Sequence, residues 1–207
     1  MSADRAGRAL ALMRERDLDS LLVTDLLNVR WLTGFTGTNG ACVLLPDERV
    51  FLTDFRYVAQ AEEQVPDFER VTVGRDMVAD LARRLRGRAG FDDAHVSVKM
   101  HAKLAEKVTD EVELVTASGL VEGLRQVKDA GELQLIAEAA EIATDALRTV
   151  LDRGLVGRTE RDVALELEQL MRDTGAEGPS FPAIVAAGAH GGRDAPRARA
   201  GAAPPRR

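Results

Sequence analysis

Up to about residue 125 the chain alternates short apolar runs with helix-spaced stretches, and that alternation restricts this part to a layered α/β fold. Leu10 and Met13 share one face of a short helix across Arg5–Arg16, and Leu18–Thr24 follows as a strand. Asn28–Gly34 then runs into a glycine-rich loop, Phe35–Gly40. Ala41–Leu45 and Arg49–Thr53 are strand runs separated by Pro46-Asp47-Glu48, a hairpin signal because proline and aspartate pre-set the turn. Tyr57–Gln64 reads as a helix ended by Pro66, and Phe68–Val73 as a strand. Met77, Leu81 and Leu85 form a helical face closed by Gly87. A strand near Gly90–Phe91, a short helix near Ala102–Lys107 and a strand at Val112–Val115 complete the alternation.

Beyond that point the pattern changes. Leu133, Ile136, Ala140, Ala143, Leu147 and Val150 step by three or four, which is one helical stripe. Gly154 and Gly157 break it. Thr159 is placed to cap the next helix with Asp162 as its reciprocal partner; Val163, Leu167, Leu170 and Met171 give the apolar face, and Gly175 ends it. Pro179–Ala186 enters as an apolar strand with no visible neighbour. Two antiparallel helices leading into one strand do not close a domain. Residues 192–207 contain no Val, Ile, Leu, Met, Phe, Trp or Tyr, so burial cannot offset the cost of ordering them, and they are expected to be disordered.

Composition excludes several function classes. Hydrophobic residues make up 45% and charged residues 30%, as in a globular protein. The net charge of −6 argues against nucleic acid as a partner. No apolar run approaches the roughly 18 residues of a membrane span, and no secretion signal is visible. Cys42 is the only cysteine, which excludes an internal disulfide; it reads as a small core residue, and a cytoplasmic location is expected. Gly34, Gly37 and Gly40 lack the lysine and Ser/Thr ending of a phosphate-binding loop, so nucleotide binding is rejected.

Five segments, in order, resemble one family. They are Asn28–Gly40; Thr53-Asp54-Phe55-Arg56-Tyr57; Leu124–Asp129; Gly157–Ala164; and Gly175–Gly188. Together they resemble the creatinase, aminopeptidase P and prolidase group over residues 8 to about 191. The resemblance implies a creatinase-type N-terminal domain over residues 1–125, a mixed sheet flanked by helices. An incomplete start of an α+β pita-bread metallopeptidase domain follows over 126–191. It further implies cleavage at Xaa-Pro bonds of proline-containing peptides, two divalent ions (manganese, cobalt or zinc) in full-length members, and homo-oligomers of the full-length form. Creatine-type amidino hydrolysis stays open.

A dinuclear site of that kind needs about four carboxylates and an imidazole converging on one pocket. After Glu177 the chain has no glutamate and one aspartate, Asp194, and its histidines are His95, His101 and His190. The expectation is a chain without metal ligands or cofactor, inactive by itself. An alternative is a non-catalytic N-terminal binding or dimerisation module. Residues 192–207, with five arginines and one aspartate, read as out-of-frame translation of a GC-rich gene or a sequencing error; a short paralogue with a basic tail is the other account.

Four residues are candidates for a site. His190 lies near, but not at, the proline-histidine pair that the resemblance implies, and a solvent-exposed loop histidine is the favoured reading. Arg56 is, in its structural reading, a helix-start arginine whose charge pairs with Asp54 or a neighbouring acid. In its functional reading Arg56 and Tyr57 contact substrate, through relatives whose N-terminal domain lines another subunit's active site. Trp31 is a candidate substrate contact whose favoured role is packing on the sheet. His101 and Lys103 are expected on the surface of a short helix.

Overall fold

The computed structural model describes residues 4–191. Residues 192–207, expected to be disordered, lie outside the described residues. The chain divides between Val127 and Lys128 into two compact units.

The first unit holds one six-stranded mixed sheet in the order β4-β3-β2-β1-β5-β6. Its strands are β1 (Ser20–Val23), β2 (Ala41–Leu44), β3 (Arg49–Asp54), β4 (Glu69–Val73), β5 (Arg88–Phe91) and β6 (Glu113–Thr116). β2 is antiparallel to both β1 and β3, whereas β3–β4, β1–β5 and β5–β6 are parallel. The hairpin read around Pro46-Asp47-Glu48 is present, with Leu44 opposite Arg49 and the Leu45 amide donating to the Glu48 carbonyl over 2.9 Å.

Strand alternation splits the core into two layers, because successive side chains point to opposite faces. Leu21, Val23, Cys42, Leu44 and Phe51 lie on one face, beneath α1 (Arg5–Glu15), α2 (Leu26–Thr33), α3 (Val58–Gln64) and α6 (Leu120–Gln126). Leu22, Ala41, Val43, Val50, Leu52 and Ala89 lie on the other, beneath α4 (Met77–Ala82) and α5 (Val98–Lys107). Cys42 is fully buried, and burial pushes its thiol well above the ordinary range, so it is the small core residue read from the sequence. α2 and α6 were not read as helices. α2 begins on Asp25, whose carboxylate accepts from the Asn28 amide, and closes at Gly34.

The second unit contains α7 (Ala130–Asp152) and α8 (Glu160–Asp173), which pack on each other and bury Ala146, Val150 and Val163. Both start in full capping boxes: Asp129 with Glu132, and Thr159 with Asp162. The strand expected at Pro179–Ala186 is absent. A strand exists only through ladder hydrogen bonds to a neighbour, and the second unit offers no other strand among the described residues.

Candidate functional site

The glycine-rich loop and the end of β3 meet in a polar corner. Asp54 closes β3, and its carboxylate accepts four hydrogen bonds: from the Arg56 amide (2.9 Å), Arg56 Nε (2.9 Å), Arg56 Nη2 (2.7 Å) and Asn39 Nδ2 (2.5 Å). The Arg56 and Asn39 side-chain donors, in that order, hold the Asp54 carboxyl well below the usual carboxylate range. Such a carboxylate has no lone pair left for proton transfer, so its chemistry is to orient Arg56. Thr53 Oγ1 donates to the Asn39 carbonyl over 2.6 Å, tying loop to strand.

Next to it, Tyr57 Oη and Thr38 Oγ1 are 2.6 Å apart, and the Tyr57 ring meets Phe35 edge-on at 5.6 Å. The loop glycines serve this packing. A Cβ on Gly37 would stand 2.2 Å from the Phe35 ring, and one on Gly40 would stand 2.8 Å from Phe51. Asn39, Asp54, Arg56, Val73, Arg75 and Met77 line an open cleft of about 470 Å³ beside this corner. Arg56 keeps 58% of its side chain exposed there, a guanidinium with one face fixed and one open to an anionic group.

Trp31 is placed otherwise. It is 6% exposed in the first core layer, and the guanidinium carbons of Arg5 and Arg8 stand 5.1 and 5.7 Å from its ring. His101 is not a plain surface residue, since its ring lies 5.1 Å from that of Phe91.

In the second unit His190 is half-buried at the end of a 3-10 turn (Gly188–His190), with Nδ1 2.8 Å from Glu160 Oε1. His190, read as a solvent-exposed loop histidine, keeps 37% of its side chain exposed and gains a carboxylate partner. Glu160 is 8% exposed and also accepts from the Ala187 amide at 2.9 Å. A buried carboxylate at the first turn of a helix needs such donors, and this segment folds back to supply them. Glu166 is bridged by Arg153 and Arg158, whose hydrogen bonds hold its carboxyl below its ordinary value.

One more polar cluster escaped sequence reasoning because its members are far apart in the chain. Asp25, Asn28, Asp92, His95, Glu122 and Arg125 gather beyond the carboxyl ends of β1, β5 and β6. The Asp92 carboxyl is pushed up first by burial and then by the charge of Glu122. The only sequence signal was the acid-start spacing Asp25-x-x-Asn28, which the structure uses as a helix cap.

Residues 5–127 match the creatinase/prolidase N-terminal domain family, and residues 134–199 match metallopeptidase family M24. The chain is 39% identical over 175 residues to the uncharacterised peptidase YqhT of Bacillus subtilis, covering 83% of this chain and 49% of that one. It is similar to the solved Xaa-Pro dipeptidase from Bacillus anthracis, with a TM-score of 0.81 and 30% identity over 87% of this chain and 52% of that one. It is also similar to the N-terminal domain of the cytoplasmic peptidase PepQ from Mycobacterium tuberculosis, with a TM-score of 0.55 and 39% identity over 58% of this chain and 98% of that one. The chain spans about half the length of the curated relatives it matches over most of its sequence. No helix among the described residues is long and apolar enough to cross a membrane.

Proposed function

This chain belongs to the creatinase/prolidase family, and on that premise we propose that it supplies the N-terminal domain and the opening of the catalytic domain of an Xaa-Pro peptidase. Proline-containing peptides are its substrate class, its location is the cytoplasm, and the complete enzyme is a homo-oligomer. The domain boundary falls near residues 125–128. Metal dependence belongs to the metallopeptidase family matched by the second unit. The described residues of that unit do not fit a metal centre. Glu138, Glu141, Asp145, Asp152, Asp162, Asp173 and Glu177 are exposed, Glu166 is held by two arginines, and Glu160 is spent on Ala187 and His190. No step of hydrolysis is therefore assigned to residues of this chain.

The single observation that carries the reading is this scattering of carboxylates in the unit that resembles a metallopeptidase. It supports a 207-residue chain without peptidase activity of its own. In that reading Arg56 presents a fixed cation to the open cleft, suited to an anionic group of a peptide, and Tyr57 stands beside it on Thr38 and Phe35 as the second substrate-contact candidate; Trp31 packs the core. The test is an assay of the purified chain on an Xaa-Pro dipeptide with manganese, cobalt or zinc. No turnover is expected. Turnover that requires one of the ions would overturn the reading.

A second reading, a non-catalytic binding or dimerisation module, is favoured by the closed core of the first unit on both sheet faces. Mixing the chain with a full-length homologue separates the two. A stable complex whose formation alters the homologue's turnover favours the module.

A further inference from the structure

We propose that Asp25, His95 and Glu122 form a binding site for one divalent cation of the zinc, manganese or cobalt class, in the first unit and apart from any peptidase chemistry. The fold prepares the place. β1 and β5 are adjacent and parallel, yet the helices after them leave to opposite faces. Val29, Trp31 and Leu32 of α2 enter one core layer, and Leu104 of α5 enters the other. Two parallel strands whose chains diverge in this way open a crevice at their carboxyl ends, where α/β proteins bind ligands.

Chemically distinct donors converge in that crevice. Asp25 follows β1, His95 follows β5 and Glu122 lies on α6 after β6. One imidazole nitrogen and two carboxylate oxygens all lie within 4.8 Å of one another, with Asp25 Oδ1 3.6 Å from His95 Nδ1. Metal–ligand bonds of about 2.0–2.2 Å set neighbouring donors roughly 3–4 Å apart, so small side-chain rotations close the set. A mixed nitrogen and oxygen set with positions left for water suits borderline ions rather than calcium or magnesium.

The surroundings hold the donors as second partners hold ligands in metal sites. Asn28, 1% exposed, donates from Nδ2 to Glu122 Oε1 over 2.5 Å, and its backbone amide donates to Asp25 Oδ2 over 3.1 Å. Arg125 Nη1 donates to Asn28 Oδ1 over 2.7 Å, which fixes that amide. Asp92 Oδ2 stands 4.0 Å from the other imidazole nitrogen, His95 Nε2, and accepts from Asn28 Nδ2 over 3.4 Å. Next to Asp25 in the chain, the Thr24 hydroxyl oxygen is buried without a hydrogen-bond partner. Arg125 Nη1, 3.9 Å from Asp25 Oδ2, is the charge an incoming cation must tolerate, and it limits the affinity.

Calorimetric titration of the metal-stripped 207-residue chain with zinc chloride, then manganese chloride, tests the site. One ion per chain is expected, with a rise in Tm at saturation. His95→Ala and Glu122→Gln should each weaken binding at least ~10-fold and abolish the rise in Tm, whereas His190→Ala should change neither. His95 keeps 45% of its side chain exposed, so its replacement spares the fold, checked by circular dichroism. No binding by the unaltered chain, binding that survives His95→Ala, or loss with His190→Ala would each overturn the proposal. None of these results depends on peptidase activity.

Discussion

Asp54 is the residue whose surroundings make the sharpest demand. Its folded-state pKa is depressed by Arg56 and Asn39, so the stability it contributes is present above its unfolded value, about 3.9. That contribution is lost as pH falls from there through the folded value. The Tm of the natural chain should therefore fall as pH drops below about 4, and Asp54→Asn should make that acid limb shallower while lowering Tm at pH 7. Parallel limbs for the two chains would refute the role. Gly40 makes a steric demand instead: Gly40→Ala sets a methyl against Phe51 and should cost about 1–3 kcal/mol in urea unfolding. An acidic partner for Arg56 was legible in the sequence, with Asp54 two residues away as one choice, and the structure selects Asp54. The cluster of Asp25, His95 and Glu122 was not, since only the sheet order brings residues 25, 95 and 122 together.

At the scale of elements, legibility followed length and periodicity. The stripes of α7 and α8 run for several turns, so their spacing stands out, and the capping residues of α8 were readable beside them. α2 has eight residues and α6 seven, too few turns to show a stripe, and each takes its burial from α1 and the sheet. Pro179–Ala186 failed for another reason: apolar composition suggests a strand, but pairing decides it. The cap of α8 gives a direct test. Thr159→Ala removes the acceptor for the Asp162 amide and should cost about 1 kcal/mol, read as lost helical signal in thermal melts. No change would mean that α8 is held by packing alone.

For the molecule as a whole, the two units differ in how well each hides its apolar surface. Leu133 (56%), Leu135 (66%), Ile136 (52%) and Ile184 (55%) are exposed in the second unit, so the chain should bind a hydrophobic dye and self-associate. The first unit buries both sheet faces. The connection carries an exposed Val127 and Lys128 between α6 and α7, the kind of backbone that proteases reach. Brief trypsin digestion should therefore cut after Lys128 and leave a fragment of residues 1–128 that persists while the remainder is degraded. The cause is energetic: cleavage within a packed sheet requires opening the whole core, whereas cleavage at the connection requires only local exposure. Loss of both units at one rate, with no fragment of that size by mass spectrometry, would show that the first unit depends on the second for its stability.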